Sequence, residues 1–237
     1  ILGLTHFKFF QVGWFSWKNF THFLKRNGVL EEIRRMQDEG LIQHVGFTGH
    51  DASENFTRII ETGLFDTLTI PYNLINREYE STMRRAGELG VGVVAMCPVA
   101  GGLLSHESSA LKESLDMDLP TTEMALRFVL SNPNISTACS GMNTLEQLEQ
   151  NVRSVKAFDP ETERLHERYC EGLDQLRGKL GHRVCTSCGY CMPCPKGVPI
   201  FLYMRTLDLE KVAGADEAEA TFRKYVPWIK KNEKWTS

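Results

Sequence analysis

The sequence has no apolar run close to the roughly 20 residues of a membrane span, and no N-terminal signal peptide. It has no basic stripe either: 27 Lys and Arg stand against 30 Asp and Glu, a net charge of −3. We therefore expect neither a nucleic-acid partner nor a membrane. No GxGxxG motif or P-loop follows a predicted strand, so the usual dinucleotide and nucleoside-triphosphate fingerprints are absent. Clustered thiols favour a reducing compartment, and we expect a cytoplasmic protein.

A run of four cysteines is the most distinctive stretch of the chain. Cys185, Cys188, Cys191 and Cys194 recur at intervals of three, and Pro195 follows the last of them. Two-residue gaps let successive thiolates converge on one inorganic centre, and soft thiolates favour iron–sulfur clusters or zinc. The spacing favours a four-iron four-sulfur (4Fe-4S) cluster, because zinc sites with four thiolates usually divide into two separated CxxC pairs. A zinc site and disulfides remain the alternatives.

The other cysteines have a different interpretation. Cys170, upstream of the run, is a reserve ligand in case Cys194 is not the fourth. Cys97 and Cys139 stand in apolar runs, and we predict that both are ordinary buried side chains.

Short apolar runs alternate with amphipathic stretches from residue 7 onward, which predicts a series of βα units. Most runs are continuously apolar, as is typical of parallel strands covered on both faces. The predicted strands are Phe7–Phe15, Ile42–Thr48, Thr67–Pro71, Val91–Cys97 and Ile135–Ser140.

The predicted helices have apolar side chains that share one face. Asp51 and Glu54 match a capping box, and a helix opened by Pro120 should end before Pro133. The faces predicted to be buried are Val29, Leu30, Ile33 and Met36; Phe56, Ile59 and Ile60; Tyr79, Met83, Ala86 and Leu89; Ala125, Phe128 and Val129; and Leu145, Leu148, Val152 and Val155.

Five such units predict a parallel α/β architecture, either an open doubly wound sheet or part of a (β/α)8 barrel. Three strand ends have polar or glycine-rich tips, which would share the active face of a barrel: Thr48–His50, Tyr72–Asn73 and Pro98–Gly102. Five units are three short of closure, so the first strand would present an uncovered edge. Because the sequence also opens at Ile1 rather than Met, we expect a missing N-terminal segment or a complementing chain.

The composition changes at residue 159, where a charged helical stretch begins. We predict a barrel portion at residues 1–158 and a small, mostly helical iron–sulfur domain at residues 159–237. Within it, residues 200–204 predict a helix packed over the cysteine run, and residues 211–232 predict one or two terminal helices.

Five segments of the chain carry a family resemblance: Gly46–His50, Pro71–Leu74, Val94–Gly102, Ala125–Pro133 and Ser140–Val152. In these segments, in this order, the sequence resembles the aldo-keto reductases. The cysteine run is similar to the ferredoxin-type tail of one bacterial branch of that family. The resemblance covers nearly the whole chain. It implies a TIM barrel that binds NADPH at the carboxyl ends of its strands and transfers hydride to a small-molecule carbonyl substrate.

The resemblance also implies cofactor-binding residues. Thr48 would lie near the nicotinamide carboxamide, and Met96 would pack on the nicotinamide ring. The pyrophosphate would run beside Pro98, Val99, Ala100 and Gly101, because missing side chains let backbone approach the anion. The adenosine phosphate would be held by Ser140, Gly141, Met142, Asn143, Gln147, Gln150 and Asn151. Gln147 stands where the family usually has an arginine, so the choice between NADP and NAD stays open.

The resemblance is incomplete where catalysis is concerned. The family's catalytic Tyr, Asp and Lys lie on opening strands that this sequence lacks, and Gly13 stands where the catalytic His is expected. His50 is a candidate for a catalytic or substrate-orienting role, with an exposed loop histidine as the alternative. Trp14 and Trp17 are candidates for the substrate pocket, or for packing under a loop.

Three functions are compatible with these residues. The first is an NAD(P)H-dependent oxidoreductase whose 4Fe-4S cluster either relays electrons to a redox partner or holds the C-terminal domain together. The second is a catalytically incomplete barrel that serves as an iron–sulfur electron-transfer or scaffold subunit. The third is a binding module stapled by zinc.

Overall fold

Strands and helices alternate through the first part of the chain, as the apolar pattern predicts. The computed structural model describes residues 5–26, 28–156, 162–180, 185, 191–192 and 194–231. Their strands are β1 (Phe7–Phe15), β2 (Ile42–Gly49), β3 (Thr67–Pro71), β4 (Gly92–Met96) and β5 (Thr137–Ala138). Their helices are α1 (Trp17–Arg26), α2 (Val29–Asp38), α3 (Ser53–Ile60), α4 (Glu80–Glu88), α5 (Ser109–Leu115), α6 (Thr121–Ser131), α7 (Leu145–Lys156), α8 (Thr162–Leu180), α9 (Ile200–Ala213) and α10 (Ala215–Lys231), with a 3-10 helix at Ala100–Ser105.

The five strands form one parallel sheet in sequence order, β1-β2-β3-β4-β5. Sequential parallel neighbours require a crossover connection between each pair, and the intervening helices provide it. The register pairs Thr48 with Thr69 and Pro71 with Met96. This sheet confirms the predicted α/β class and is consistent with part of a TIM barrel.

The chain divides into two compact units. The first contains residues 1–72, 77–96 and 133–139, and the second contains residues 73–76, 97–132 and 140–237. The sheet and helices α1 to α4 belong to the first unit, and the remaining helices belong to the second. The predicted domain division after residue 158 stays a prediction.

Aromatic packing forms the core of the first unit. Phe15, Phe20, Phe47, Phe56 and Phe65 are all at most 4% exposed, and their rings meet mainly edge to face or tilted, with centroids as close as 4.8 Å. Helices α1, α2 and α4 pack on β1, β2 and β4, and α3 contacts both α1 and α4. These rings and helices therefore exclude solvent from the core of the first unit.

Two glycines of β2 let neighbouring strands approach closely. A Cβ atom on Gly49 would lie 1.8 Å from the Phe15 carbonyl oxygen, and one on Gly46 would lie 2.0 Å from the Thr67 Oγ1 atom. Real Cβ atoms cannot occupy such positions. Glycine is therefore required here for the sheet to pair as it does, which explains its place in the Gly46–His50 segment.

Helix packing dominates the second unit. Helix α8 packs against α5 and α6, and α9 packs against α8, α10 and the 3-10 helix. A Cβ atom on Gly172 of α8 would lie 2.7 Å from the Ser114 carbonyl oxygen, so α5 and α8 need glycine at their closest approach. None of the helices among the described residues is both long enough and apolar enough to cross a bilayer.

Several sequence predictions fail in detail. Strand β5 has only two residues instead of six, and β4 is one residue shorter at each end than predicted. The capping box is wrong, because Ala52 rather than Asp51 is the N-cap residue of α3. Cys139 is exposed and Cys97 only half-buried, since both follow the last residues of short strands.

The apolar stripe of α7 is also not buried as predicted. Helix α7 packs against α6, and Ser154 is its buried residue, only 1% exposed. The four stripe residues lie elsewhere on the helix surface and are 41–66% exposed: Leu145, Leu148, Val152 and Val155. The period of apolar residues in the sequence does not by itself show which helix face is buried against another element.

Candidate functional site

The open face of the sheet in the first unit contains two of the predicted cofactor residues. Thr48 lies at the carboxyl end of β2 and Met96 ends β4, and both are half-buried. The Met96 carbonyl accepts a hydrogen bond from the Tyr72 N–H at 3.1 Å. Gln11 of β1 donates from Nε2 to the Phe47 carbonyl at 3.1 Å and to Thr69 Oγ1 at 2.5 Å. These bonds order polar side chains on this face.

His50 directly follows β2 and is half-buried. Burial lowers the pKa of its imidazole, because the charged form loses solvation. Burial therefore favours the neutral imidazole, in which one ring nitrogen donates a hydrogen bond and the other accepts one, according to the tautomer. Its catalytic role stays a prediction.

Asp51 joins the loop after β2 to the start of α1. Its carboxylate accepts hydrogen bonds from the Trp17 N–H at 2.6 Å, from the Ala52 N–H at 2.8 Å and from Asn55 Nδ2 at 2.8 Å. Burial by itself raises the pKa of Asp51, but these three donors outweigh it and hold the pKa below its ordinary value. The sequence indicated Asp51 only as a helix cap, and its contact with Trp17 had no sequence signal.

The Trp17 ring packs on its neighbours. The guanidinium carbon of Arg58 lies 3.7 Å from the centre of the ring, and the Phe20 ring lies 5.7 Å away. These contacts support the packing interpretation over a place in the substrate pocket. The side chain of Trp14 lies outside the part of the chain that the structure describes.

Gly13 is exposed on β1, and a Cβ atom built there meets no heavy atom within 4 Å. Nothing in the backbone geometry requires a glycine at this position. Steric crowding therefore does not explain why glycine stands where the resemblance expects a histidine. What the position lacks is the imidazole.

The loop after β4 begins the glycine-rich segment of the second unit. Its backbone is left-handed at Cys97, Ala100, Gly101 and Gly102, with φ between 51° and 90°. Two of these residues are not glycine, and left-handed backbone costs free energy for residues with a Cβ atom. The carbonyl of Cys97 accepts from Asn73 Nδ2 at 3.0 Å and from the Ala100 N–H at 2.9 Å, which holds the turn.

The segment before and within α7 folds back on itself. Asn151 Nδ2 donates to Ser140 Oγ at 2.9 Å, and the Asn143 N–H donates to Gln147 Oε1 at 2.9 Å. These two bonds join four of the seven predicted adenosine-phosphate residues in two pairs. Gly141 and Met142 are exposed between them, and Gln150 is half-buried further along the helix.

The cysteine run is described in part, because Cys188 lies outside the described residues. Cys191 is exposed, Cys185 and Cys194 are half-buried, and none of the three forms a disulfide. The Cys185 N–H donates to Asp208 Oδ2 of α9 at 2.7 Å. The reserve ligand Cys170 is instead paired with His166, with 3.5 Å between its sulfur and the imidazole Nε2.

A sequence profile of the Aldo/keto reductase family matches residues 3–165, more than half of the chain. The chain belongs to this family. Among curated relatives, an uncharacterized oxidoreductase of Schizosaccharomyces pombe is 29% identical over 136 residues, which cover 54% of this chain and 42% of the relative. L-galactose dehydrogenase of Arabidopsis thaliana is 22% identical over 152 residues, 55% of this chain and 47% of the relative.

Among solved aldo/keto reductase structures, the holo form of AKR11C1 from Bacillus halodurans superposes with a TM-score of 0.60 at 21% identity. The match covers 71% of this chain and 61% of that chain. At this identity the likeness establishes the fold. The chain spans about half the length of the curated relatives it matches.

Sequence reasoning about this aldo/keto reductase missed two side chains of the second unit. Arg205 of α9 contacts the loop after β4, and Asp208 of the same helix contacts the first residue of the cysteine run. Neither belongs to a motif. Only the packing of α9 brings them to these positions.

Proposed function

We propose that this chain is the nucleotide-binding part of an NAD(P)H-dependent aldo/keto reductase that acts on a small-molecule carbonyl or alcohol. Family membership and the parallel sheet support the proposal. So does the place of the predicted cofactor residues: Thr48 and Met96 lie at the carboxyl ends of β2 and β4, and the others follow β4 and β5. The carboxyl ends of parallel strands are where α/β folds bind ligands.

The backbone conformation of the loop after β4 is the main observation behind the proposal. Three consecutive residues, Ala100 to Gly102, have left-handed backbone, and two of them have no side chain. Such a loop lets a phosphate group approach the backbone closely. Strained backbone at non-glycine residues is also typical of ligand-binding positions, because the surrounding structure must hold it in place.

The adenosine end would be bound by the segment from Ser140 to Asn151. Its hydrogen bonds from Asn151 to Ser140 and from Asn143 to Gln147 fix a polar turn before the nucleotide arrives. The segment contains Glu146 and Glu149 but no Lys or Arg. A 2′-phosphate would therefore meet no cation there, and we propose that NAD binds about as well as NADP.

The nicotinamide cofactor supplies hydride when it is bound. The chain's own share is binding and orientation: Thr48 would face the carboxamide, and Met96 would pack on the ring through its flexible thioether. His50 is the candidate that could hold or orient a substrate through a neutral imidazole. The residue that moves the proton is not assigned to any side chain of this sequence.

Cys185, Cys188, Cys191 and Cys194 would ligate a 4Fe-4S cluster. The donor set fits, because the described thiols of the run are not consumed in disulfides and the Cys185 backbone is anchored to α9. Bound there, the cluster would supply one-electron transfer to a redox partner or a structural staple. Reduced thiols of this kind also support the proposed cytoplasmic location.

A second candidate is an electron-transfer or scaffold subunit with a catalytically incomplete barrel. The exposed, side-chain-free Gly13 favours it, because that position would otherwise supply a catalytic histidine by resemblance. Both candidates predict a cluster and nucleotide binding. Only the first predicts carbonyl reduction.

Anaerobic purification followed by iron and acid-labile sulfide analysis, EPR and titration with NADH and NADPH tests both candidates. We expect about four iron atoms and four sulfides per chain, an EPR signal on reduction, and saturable binding of both nucleotides. Binding with turnover of aldehydes or ketones supports the reductase, and binding without turnover supports the subunit. Colourless, iron-free protein that binds zinc would overturn the cluster assignment.

The edges of the sheet support a proposal about partners. Strand β1 pairs only with β2 among the described residues, and its Phe7, Phe9 and Phe10 are 38–63% exposed. Apolar side chains on an uncovered edge favour pairing with another strand. We propose that further βα units, from the same gene or from a complementing chain, cover β1. Hydrogen exchange of β1 amides in the purified protein tests this, since an uncovered edge exchanges rapidly.

A further inference from the structure

Arg205 connects the helix after the cysteine run to the loop after β4. Its Nη2 atom donates a hydrogen bond to the Gly101 carbonyl oxygen, with 2.6 Å between them, although the two residues are 104 positions apart. Arg205 is half-buried on α9. The contact is therefore tertiary and places a permanent positive charge on the glycine-rich loop.

The guanidinium lies close to the two glycines of the loop. A Cβ atom on Gly101 would lie 3.4 Å from Nη1, and one on Gly102 would lie 3.3 Å from Nη2. Both glycines are left-handed, with φ of 62° and 90°. The left-handed backbone favours glycine at both positions, and the guanidinium lies close against them.

The charge of Arg205 has no counter-ion among the described residues. Some of the other described arginines pair with a glutamate within 4.0 Å, namely Arg35, Arg77, Arg85, Arg127 and Arg223. Arg205 makes no such pair, and the acceptor it contacts in this part of the chain is the neutral Gly101 carbonyl. A guanidinium has five N–H donors, so most of them stay available for an anion.

We propose that Arg205 binds the diphosphate of the nicotinamide nucleotide. The inference rests on the proposed function, in which the loop after β4 receives this diphosphate. The loop itself has no charged residue between Pro98 and Leu104, and the Ser140–Asn151 segment has no basic one. A planar guanidinium matches phosphate oxygens with two parallel hydrogen bonds. The helix after the cysteine run would thus complete the nucleotide site.

Equilibrium titration with ADP-ribose tests the proposal, because this probe has the diphosphate but no nicotinamide. The variants are Arg205→Gln, Arg205→Lys and, as a matched control, Arg223→Gln on the exposed surface of α10. We expect Arg205→Gln to raise the Kd by about 10- to 100-fold, the usual effect of losing a charge-assisted contact. Arg205→Lys should lie between, because it keeps the charge without the fork. Arg223→Gln should bind like the wild type.

Adenosine 2′-monophosphate serves as the second probe, since it has a phosphate but no diphosphate. We expect its affinity to be the same in Arg205→Gln and in the wild type. A loss for adenosine 2′-monophosphate without a loss for ADP-ribose would assign Arg205 to the 2′-phosphate, and an equal loss for both probes would assign its effect to the adenosine that they share. Either outcome overturns the diphosphate assignment. If the wild type binds ADP-ribose and both Arg205 variants bind it equally well, the inference fails while the proposed function stands.

If the wild type binds neither NADH, NADPH nor ADP-ribose, the proposed function fails and the inference fails with it. Circular dichroism of each variant shows whether it is folded. If Arg205→Gln does not fold because it loses the Gly101 contact, Arg205→Lys alone tests the proposal. ADP-ribose binding by Arg205→Lys equal to that of the wild type then overturns the proposal.

Discussion

Asp208 anchors Cys185: the Oδ2 atom of this carboxylate accepts the Cys185 N–H at 2.7 Å. Asp208 is 3% exposed, and burial raises its pKa, opposed by the Cys185 hydrogen bond and the charge of Lys211. A buried carboxylate on α9 therefore fixes the position of the first cysteine of the run. Arg205 lies one turn earlier on the same helix, so α9 contacts both segments to which we assign cofactors.

Replacing Asp208 with alanine should loosen the cysteine run. The Cys185 N–H would lose its acceptor, which costs about 1–3 kcal/mol of unfolding free energy for a charged partner. Asp208→Asn keeps an oxygen acceptor and should recover most of this loss. Chemical denaturation measures the free energy, and iron content after anaerobic purification should fall in parallel. Glu210→Ala, on the exposed side of α9, is the control. An Asp208→Ala protein that is as stable and as rich in iron as this control would contradict the anchoring role.

Asp51→Ala should separate the start of α1 from the loop after β2. The change removes an acceptor that serves the Trp17 N–H, the Ala52 N–H and Asn55. We expect a loss of about 1–3 kcal/mol at pH 7. Asp38→Ala, on exposed α2, should change stability by less than about 0.5 kcal/mol.

The effect of Asp51 should depend on pH in a defined direction. Its pKa in the folded state is below the ordinary value of 3.8, so its contribution is complete above pH 3.8 and is lost as the pH falls through the lower folded value. The difference between wild type and Asp51→Ala should therefore shrink in acid. A difference that persisted undiminished at pH 2 would mean that the carboxylate charge is not what stabilises the loop.

Tyr169→Phe should stabilise the second unit. The Tyr169 side chain is fully buried, and its hydroxyl has no hydrogen-bond partner among the described residues. Removing an unpaired buried hydroxyl is expected to raise the unfolding free energy by about 1 kcal/mol. Tyr203→Phe, at an exposed tyrosine of α9, is the matched control and should have no effect. A clear destabilisation by Tyr169→Phe would show that the hydroxyl does have a partner.

Tyr169 should also make the fold sensitive to alkali. Burial raises the pKa of Tyr169 to about 12, above its ordinary value of 10.0. The unfolded chain therefore loses this proton first, and stability should fall as the pH rises from 10 towards 12. Tyr169→Phe lacks this titration, so its stability curve should be flatter over the same range.

The exposed stripe of α7 should govern association rather than stability. Leu148 and Val155 are 43% and 53% exposed, so changing both to glutamine should alter the unfolding free energy by no more than about 0.5 kcal/mol each. Apolar surface of this kind favours contact with another protein surface. Sedimentation velocity should show less self-association than for the wild type, with Glu149→Gln as the control. A loss above about 2 kcal/mol would mean that the stripe is buried.

Local patterns predicted most of the secondary structure. Strand β3 has its predicted bounds, and α6 follows Pro120 and ends before Pro133, because apolar runs and proline act on their immediate neighbours. The same patterns failed where the outcome depends on distant chain. Strand β5 shortens at the sheet edge, and the apolar face of α7 has no covering element among the described residues.

The sequence by itself determined the parallel α/β fold, the family, and which residue types stand at the candidate cofactor positions. Hydrophobic period and residue spacing are properties of adjacent positions, so they can be recognised without coordinates. Only the tertiary structure decided that Arg205 lies on the Gly101 carbonyl, that Asp208 holds Cys185, and that Asp51 binds the start of α1. These contacts join residues 23 to 104 positions apart, and only the packing of helices and strands brings such residues within hydrogen-bond distance.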